Sequence, residues 1–233
     1  MPRYDESWVK ARSGRMSPRA MSSALARIER FVGDSTSDLA VTKMSERGDP
    51  FAVLVSTIIS LRTRDEVTDA VSPELMAAAP TPTALARMDP ARIARIIYPA
   101  GFYRTKGRTL RDVARVLVDR YRSRVPDAVE ELVKLDGVGR KTANLVVTLG
   151  WGKPGICVDT HVHRISNRLG FVRTKSPDDT EQVLRARLPR RWWIPINDVL
   201  VAFGRAHCGP LSPKCSTCPV SNSCARVGVG KSR

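Results

Sequence analysis

Lys141 is a candidate nucleophile because of the stretch in which it stands. In LDGVGRKTANLVVTLG, residues 135–150, a glycine turn is followed by apolar residues at helical spacing, which places Lys141 in the first turn of a predicted helix. A lysine amine is a nucleophile in its neutral form. Because a lysine is more commonly a solvated surface charge, Lys141 alone does not identify a catalytic site.

Asp159 is a second candidate for chemistry. In GICVDTHVHRISNRLG, residues 155–170, Asp159 directly precedes Val162, Ile165 and Leu169, whose spacing predicts a helix. The sequence therefore predicts that Asp159 is an N-cap. Capping is compatible with catalysis, because the helix dipole and the backbone donors keep such a carboxylate ionised and able to stabilise positive charge.

The glycine turn before Lys141 predicts a helix, a short hairpin and a second helix. Gly139 is expected to supply the positive φ that the turn needs. The backbone N–H groups there lack intrahelical partners and lie at the positive end of the helix dipole, which suits a phosphate. A plain capped helix start is the alternative. The candidate phosphate-binding residues are Gly137, Val138, Gly139 and Arg140.

Four of the five cysteines crowd into one short segment near the end of the sequence. Their pattern is Cys-x6-Cys-x2-Cys-x5-Cys, and the prolines within it predict a loop rather than a continuous helix. Zinc usually takes two close pairs of ligands, so one close pair with two wider gaps favours an iron–sulfur cluster without excluding zinc. Lys214, inside this loop, is expected to point outward toward a phosphate. The candidate metal ligands are Cys208, Cys215, Cys218 and Cys224.

The charge balance predicts a polyanionic partner. The chain has 39 Lys and Arg against 23 Asp and Glu, a net charge of +16, which makes nucleic acid the first candidate. No apolar stretch reaches the roughly 18 residues of a membrane span, and the N-terminus lacks the apolar region of a secretory signal. We therefore expect an intracellular protein that does not enter membranes, in which clustered cysteines indicate a metal site rather than disulfides.

Helix signals recur along the chain, whereas strand hairpins are not indicated. Asp49 and the proline after it open an apolar run, FAVLVSTIISL, which is predicted to be a central buried helix. Capping residues followed by proline begin further helices at Thr81, Asp89 and Ser176. We therefore predict an all-α architecture. Residues 1–20, which are basic and have little apolar periodicity, are expected to form a flexible arm.

Taken together, these stretches resemble the endonuclease III family, the helix-hairpin-helix DNA glycosylases with a 4Fe-4S cluster. LDGVGRKTA resembles the family's hairpin with the catalytic lysine at Lys141, and VDTHVHRISNR resembles its catalytic-aspartate stretch with Asp159. The four cysteines match the family's cluster spacing. IIYPAGFYRTK is similar to the loop that wedges a residue into the duplex, which assigns that role to Phe102. In ISLRTRD, Arg62 stands where many members have a glutamine that fills the space of the flipped base, so the opposite-base preference is left open.

The resemblance, which runs from about residue 22 to 226, implies a helix-hairpin-helix glycosylase fold with two helical domains and a C-terminal iron–sulfur loop. Residues 1–20 would be the basic arm. Residues 45–153 would form a helical barrel domain that contains the hairpin, and residues 21–44 plus 154–233 would form the cluster domain.

The same resemblance implies a bifunctional DNA glycosylase and AP lyase of base excision repair. It would remove oxidised pyrimidines through a lysine Schiff base and cleave the strand by β-elimination. The expected protein is a monomer with a 4Fe-4S cluster that binds double-stranded DNA containing a damaged base or abasic site. It would be cytoplasmic and nucleoid-associated in a prokaryote, with a nuclear or organellar location left open. The alternatives are a monofunctional mismatch or adenine glycosylase and a non-catalytic DNA-binding protein with a metal-stapled tail.

Overall fold

The computed structural model describes residues 4–33 and 48–233 of the 233-residue chain. The regular elements of these ranges are helices, and an isolated β-bridge joins Ser13 to Val172. The predicted all-α architecture is confirmed. Within the same ranges, no helix is both long and apolar enough to cross a bilayer.

The chain is organised as two compact units. One consists of Asp38–Gly155, and the other combines Met1–Ser37 with Ile156–Arg233, so that it is discontinuous in sequence. The domain boundary that we predicted between residues 44 and 45 lies outside the described residues.

Most of the regular structure is α-helical. A π-helix, Val146–Gly150, continues directly from one α-helix, and short 3-10 helices occupy Arg190–Trp192 and Ser221–Ser223. In chain order, the α-helices of the described ranges are α1 (Glu6–Arg12), α2 (Pro18–Val32), α3 (Pro50–Ser60), α4 (Asp65–Ala78), α5 (Pro82–Arg87), α6 (Pro90–Ile96), α7 (Tyr103–Tyr121), α8 (Val129–Leu132), α9 (Arg140–Leu145), α10 (Thr160–Arg168), α11 (Pro177–Arg187) and α12 (Ile196–Ala206).

Helix α3 forms the centre of the unit made of residues 38–155. The Asp49 carboxylate accepts a hydrogen bond of 2.9 Å from the Phe51 N–H, and Pro50 occupies the first helical turn. Every residue from Phe51 to Ile59 is buried. The prediction of a central buried helix is confirmed, and its burial follows from a sequence that has no polar face.

The helices around α3 begin and pack as their sequences indicate. The Thr81 hydroxyl accepts from the Ala84 N–H at the start of α5, and the Asp89 carboxylate accepts from the Ala91 N–H at the start of α6. Helix α7 has the predicted amphipathic pattern, because its apolar stripe is buried while most of its basic residues lie elsewhere on the helix.

The discontinuous unit has its own hydrophobic core. Helix α2 contributes Leu25 and Ile28, α10 contributes Val162 and Ile165, and α12 contributes Phe203. Segments from the two ends of the sequence therefore share one core.

The structure corrects the prediction of a flexible arm at residues 1–20 for the part of that segment that it describes, residues 4–20. Helix α1 lies in this segment, and its N-cap Asp5 accepts a hydrogen bond of 2.8 Å from the Trp8 N–H. Trp8 packs against the core of the discontinuous unit, and the Gly14 N–H donates to the Phe171 carbonyl at 2.9 Å. A segment this short shows little periodicity, and its order comes from contacts with residues far along the chain.

The turn between α8 and α9 is a tight hairpin. The Val138 N–H donates to the Leu135 carbonyl at 3.0 Å, so Gly137 holds the third position of a four-residue turn. Gly137 has a φ of +77°, whereas Gly139 has a φ of −81° and an extended backbone at the N-cap of α9. The positive φ that we assigned to Gly139 therefore belongs to Gly137, because the turn closes before the helix begins.

We expect Gly137→Ala to lower the free energy of unfolding by about 1–3 kcal/mol. An alanine at a φ of +77° is strained, and its Cβ would lie 2.7 Å from Thr109 Cγ2. Gly139→Ala is a matched control, because its φ is −81° and no atom of the surroundings lies within 4 Å of an added Cβ. Urea unfolding followed by circular dichroism measures both variants. Equal losses of stability in the two variants would contradict this assignment of the turn.

Candidate active site

Lys141 is the second residue of α9 and lies exposed just after the hairpin. The N-cap of this helix is Gly139, which has no side chain with which to cap the first backbone amides. Gly137 and Gly139 are exposed and Arg140 is half-buried, whereas the Val138 side chain is only 5% exposed and packs in the core. The hairpin therefore presents mainly backbone, together with the Lys141 amine, at the positive end of a helix.

Asp159 is the N-cap of α10, as predicted. Its Oδ1 atom accepts hydrogen bonds from the backbone N–H groups of His161 at 2.8 Å and Val162 at 2.9 Å, and the residue is half-buried. These two hydrogen bonds fix the orientation of the carboxylate at the N-terminus of the helix. Asp159 can therefore present negative charge from a fixed position, which is what stabilisation of a developing cation requires.

The structure brings Arg62 and Phe102 together, although 40 residues separate them in the sequence numbering. The Arg62 guanidinium carbon lies 5.7 Å from the centre of the Phe102 ring. Both residues are exposed, and both have left-handed backbones, with φ of +53° at Arg62 and +57° at Phe102. Such conformations cost about 1–3 kcal/mol each for residues other than glycine, and they concentrate at functional sites.

Lys106 is a residue that sequence reasoning missed. It belongs to the basic helix α7, yet it is only 7% exposed. Its ammonium group donates hydrogen bonds of 2.6 Å to the carbonyl oxygens of Ile59 and Leu61, and one of 2.7 Å to Thr63 Oγ1. Burial lowers the pKa of Lys106 to about 8. The available signal was its position four residues before Leu110, on the buried stripe of the helix.

The four cysteines Cys208, Cys215, Cys218 and Cys224 line one cavity in the discontinuous unit. Burial raises the pKa of Cys218 and of Cys224. Across residues 4–33 and 48–233, no group of three or more His, Cys, Asp or Glu side chains is close enough to hold a single metal ion. Four cysteines around one cavity nevertheless fit a cubane cluster, since each cysteine then binds a different iron and the sulfurs stand farther apart.

Arg168, the last residue of α10, holds the cysteine loop. Its guanidinium donates to Cys208 Sγ at 3.4 Å, to the Gly209 carbonyl at 2.7 Å and to the Pro210 carbonyl at 2.6 Å. These hydrogen bonds fix the backbone of the loop beside Cys208 and orient its sulfur. Sequence reasoning did not identify Arg168, because the contact joins residues that are distant in sequence.

Two further residues have positions that bear on the site. Lys214 is exposed within the cysteine loop, and its ammonium group donates to the Ala206 carbonyl at 2.9 Å. Cys157 is only 2% exposed and is therefore a core residue rather than a fifth candidate ligand.

Comparisons with known proteins identify relatives along most of the chain. Residues 55–190 match the model of the HhH-GPD superfamily of base excision DNA repair proteins. Endonuclease III of Thermotoga maritima is 48% identical over 188 residues, which cover 79% of this chain and 88% of the relative. The chloroplastic endonuclease III homolog 1 of Arabidopsis thaliana is 39% identical over 183 residues, covering 75% of this chain, and the match spans 48% of that longer relative.

A solved structure of a trapped covalent intermediate of endonuclease III with DNA, an estranged-adenine complex, also resembles this protein. It has a TM-score of 0.79 and 32% sequence identity, and the match covers 90% of this chain and 96% of that chain. Lys141, Asp159, Arg62 and Phe102 all lie within the segment that matches the superfamily model. The extent of that match and the identity to a bacterial endonuclease III show that this chain belongs to the endonuclease III family of the HhH-GPD superfamily.

Proposed function

We propose that this protein is a bifunctional DNA glycosylase and AP lyase of base excision repair, which removes oxidised pyrimidines from duplex DNA and then cleaves the strand. The observation that carries the proposal is the exposed Lys141 in the first turn of the helix after the hairpin, in a chain of the endonuclease III family. The likeness to a covalent endonuclease III–DNA intermediate supports it. A glycosylase that only removes bases needs no such amine, so Lys141 favours the bifunctional enzyme over a monofunctional one.

The substrate must first leave the base stack, because C1′ of a stacked nucleotide is not accessible to a side chain. A flipped base leaves an unpaired partner and a gap in the duplex. Phe102, an exposed aromatic side chain, can stack in that gap, and the adjacent Arg62 can donate hydrogen bonds to the acceptors of the unpaired base. Bases that stack poorly because of oxidation would be flipped at lower cost.

The chemical steps use the amine of Lys141 as nucleophile. The neutral amine attacks C1′, the glycosidic bond breaks, and the base leaves with the bonding electron pair and takes up a proton. Opening of the sugar ring then gives a Schiff base between Lys141 and C1′, which acidifies the proton on C2′. Loss of that proton gives an enamine with a C1′–C2′ double bond. Its electrons then form a C2′–C3′ double bond, restore the Schiff base and expel the 3′ phosphate with the C3′–O electron pair, which is the β-elimination that cuts the strand.

Asp159 acts on the charge that develops in these steps. As the glycosidic bond breaks, positive charge grows at C1′, and a carboxylate held by two backbone N–H groups can stabilise it without reorganising. The same carboxylate can assist transfer of the amine proton.

The hairpin supplies phosphate contacts. Gly139 has an ordinary φ and open space where a Cβ would stand, so the fold does not explain a glycine at this position. Close approach of a DNA phosphate to the backbone does explain it. Such contacts fix the register of the protein on the duplex without reading its sequence.

The cofactor that we propose for the cysteine loop is a 4Fe-4S cluster held by Cys208, Cys215, Cys218 and Cys224. When bound, it would cross-link the loop covalently and thereby stabilise the discontinuous unit. Arg168 would orient the sulfur of Cys208 through its hydrogen bond, and the loop would present Lys214 for a phosphate contact.

Replacing Lys141 with alanine should abolish covalent trapping. With a duplex that carries an abasic site, borohydride should convert the wild-type Schiff base into a stable adduct. In Lys141→Ala the adduct should be absent and strand cleavage should fall at least about 1000-fold, because the nucleophile is lost. Lys153→Ala, which removes another exposed lysine, paired with Asp127, is the control. Full trapping by Lys141→Ala would contradict the assignment.

Replacing Asp159 with asparagine should separate capping from catalysis. Asparagine caps helices as well as aspartate does, so the thermal midpoint should change little. Base removal should slow by on the order of 100-fold, because the negative charge is lost. Asp89→Asn, at the N-cap of α6, is the matched control and should keep full activity. A single-turnover assay on a duplex with oxidised thymine measures the rate, and an unchanged rate in Asp159→Asn would refute the role.

Replacing Cys215 with alanine should remove the iron and the brown colour that the cluster gives. Loss of about 3 kcal/mol of cross-linking should lower the thermal midpoint by roughly 10 °C in a protein of this size. Cys157→Ala removes the remaining cysteine, which lies in the core, and should keep the iron. Iron analysis and calorimetry measure the two effects. If the wild-type protein is colourless and contains zinc, the cysteines bind zinc and the proposed iron–sulfur cluster is wrong.

A further inference from the structure

We propose that Lys106 is a positioning residue that joins two DNA-facing loops, residues 61–64 and 98–102, so that Arg62 and Phe102 enter the duplex as one rigid pair. We name these segments the Arg62 loop and the Phe102 loop. The inference rests on the function proposed above, since it assigns the partner of both loops as duplex DNA.

The backbones of the two loops touch. A Cβ added to Gly101 would lie 2.2 Å from the Arg62 carbonyl oxygen, so only a residue without a side chain fits at this contact. The Gly101 N–H also donates a hydrogen bond of 3.1 Å to Thr63 Oγ1. The Phe102 loop is therefore bonded to the Arg62 loop immediately beside both exposed side chains.

Lys106 ties this contact to the buried helix α3. Its ammonium group reaches the Ile59 carbonyl in the last turn of α3, the Leu61 carbonyl where the Arg62 loop begins, and the same Thr63 hydroxyl that accepts from Gly101. Carbonyls in the last turn of a helix lack intrahelical partners and lie at the negative end of the dipole, which suits a cation. One side chain thus links α3, the Arg62 loop and, through Thr63, the Phe102 loop.

The three acceptors of Lys106 carry no formal charge. Burying an ammonium group among neutral acceptors is costly compared with an apolar side chain of similar length, so packing alone does not account for a lysine here. The ammonium group fixes the three acceptors relative to one another, because each of its three N–H bonds donates to one of them. A neutral amine has two N–H bonds and could not donate to all three.

The exposed ends of the two loops need this support. Arg62 and Phe102 both hold left-handed backbones that persist only where neighbouring structure fixes them. Base flipping opens the gap in the stack and leaves the partner base unpaired at the same moment. Side chains whose loops are already joined lose less conformational entropy on entering the duplex than side chains on two independent loops.

The first test is amide hydrogen exchange in the free protein, read by mass spectrometry. In Lys106→Met, peptides that cover the Arg62 loop and the Phe102 loop should both exchange about tenfold faster or more, while the hairpin at residues 135–140 keeps its wild-type rate. Arg120→Met removes an exposed charge from the same helix and should leave both loops unchanged. Thr63→Val, at a half-exposed position, removes the shared hydroxyl and should give the same result if Lys106→Met does not fold.

The second test separates positioning from a general loss of structure. Single-turnover base removal from a duplex with oxidised thymine should fall about tenfold in Lys106→Met, because flipping needs both loops. Borohydride trapping on a single-stranded oligonucleotide with an abasic site needs no wedge, and its yield should stay at the wild-type level. A purely structural role would lower both signals by the same factor.

The two tests distinguish failure of this inference from failure of the proposed function. Unchanged exchange in the two loops, faster exchange throughout the unit, or equal losses on the two substrates would each overturn the role of Lys106. A wild-type protein that neither removes the base nor forms an adduct would overturn the proposed function and the DNA role of the loops. The exchange data would then still decide whether Lys106 joins them.

Discussion

A helix that is apolar on every side must be covered on every side, and α3 imposes this requirement on the unit formed by residues 38–155. At one end, Gly150 approaches Pro50 so closely that an added Cβ would lie 2.8 Å from Pro50 Cα, which fixes the π-helix that continues from the helix of Lys141. At the other end, the last carbonyls of α3 hold Lys106 and begin the Arg62 loop. Lys141 and Arg62 are therefore positioned by opposite ends of the same buried helix.

The features that could be predicted from the sequence are those that local chemistry determines. An N-cap needs a short acceptor side chain two or three residues before its donor, so Asp49, Thr81, Asp89 and Asp159 could be recognised without knowledge of any partner. Helix α3 could be recognised as buried because, at the surface of the protein, some of its apolar side chains would be exposed to water. The cysteine loop was recognisable from spacing, since its four thiols are close in sequence.

The features that could not be predicted depend on contacts between distant segments or on the path of a turn. Lys106 carries the same charge as the other basic residues of α7, and only its hydrogen bonds to α3 and to the Arg62 loop distinguish it from them. Arg168 becomes part of the cysteine site only when the loop folds back on α10. Helix α1 is held by residues far along the chain, since the Arg173 N–H donates to the Arg12 carbonyl. Which glycine of the hairpin takes positive φ depends on where the turn closes.

The discontinuous unit has a consequence for the order in which the protein folds during synthesis. The buried face of α2, which includes Met21, Leu25 and Ile28, shares its core with Phe203 and other residues that follow Ile156. Chains emerge from the ribosome N-terminus first, so α2 appears before its partners exist. The helices from α3 to α9, in contrast, can pack on one another as soon as they have emerged. Helix α2 is thus among the first helices to be made but among the last to be buried, and until α12 has emerged its apolar face is open to chaperones.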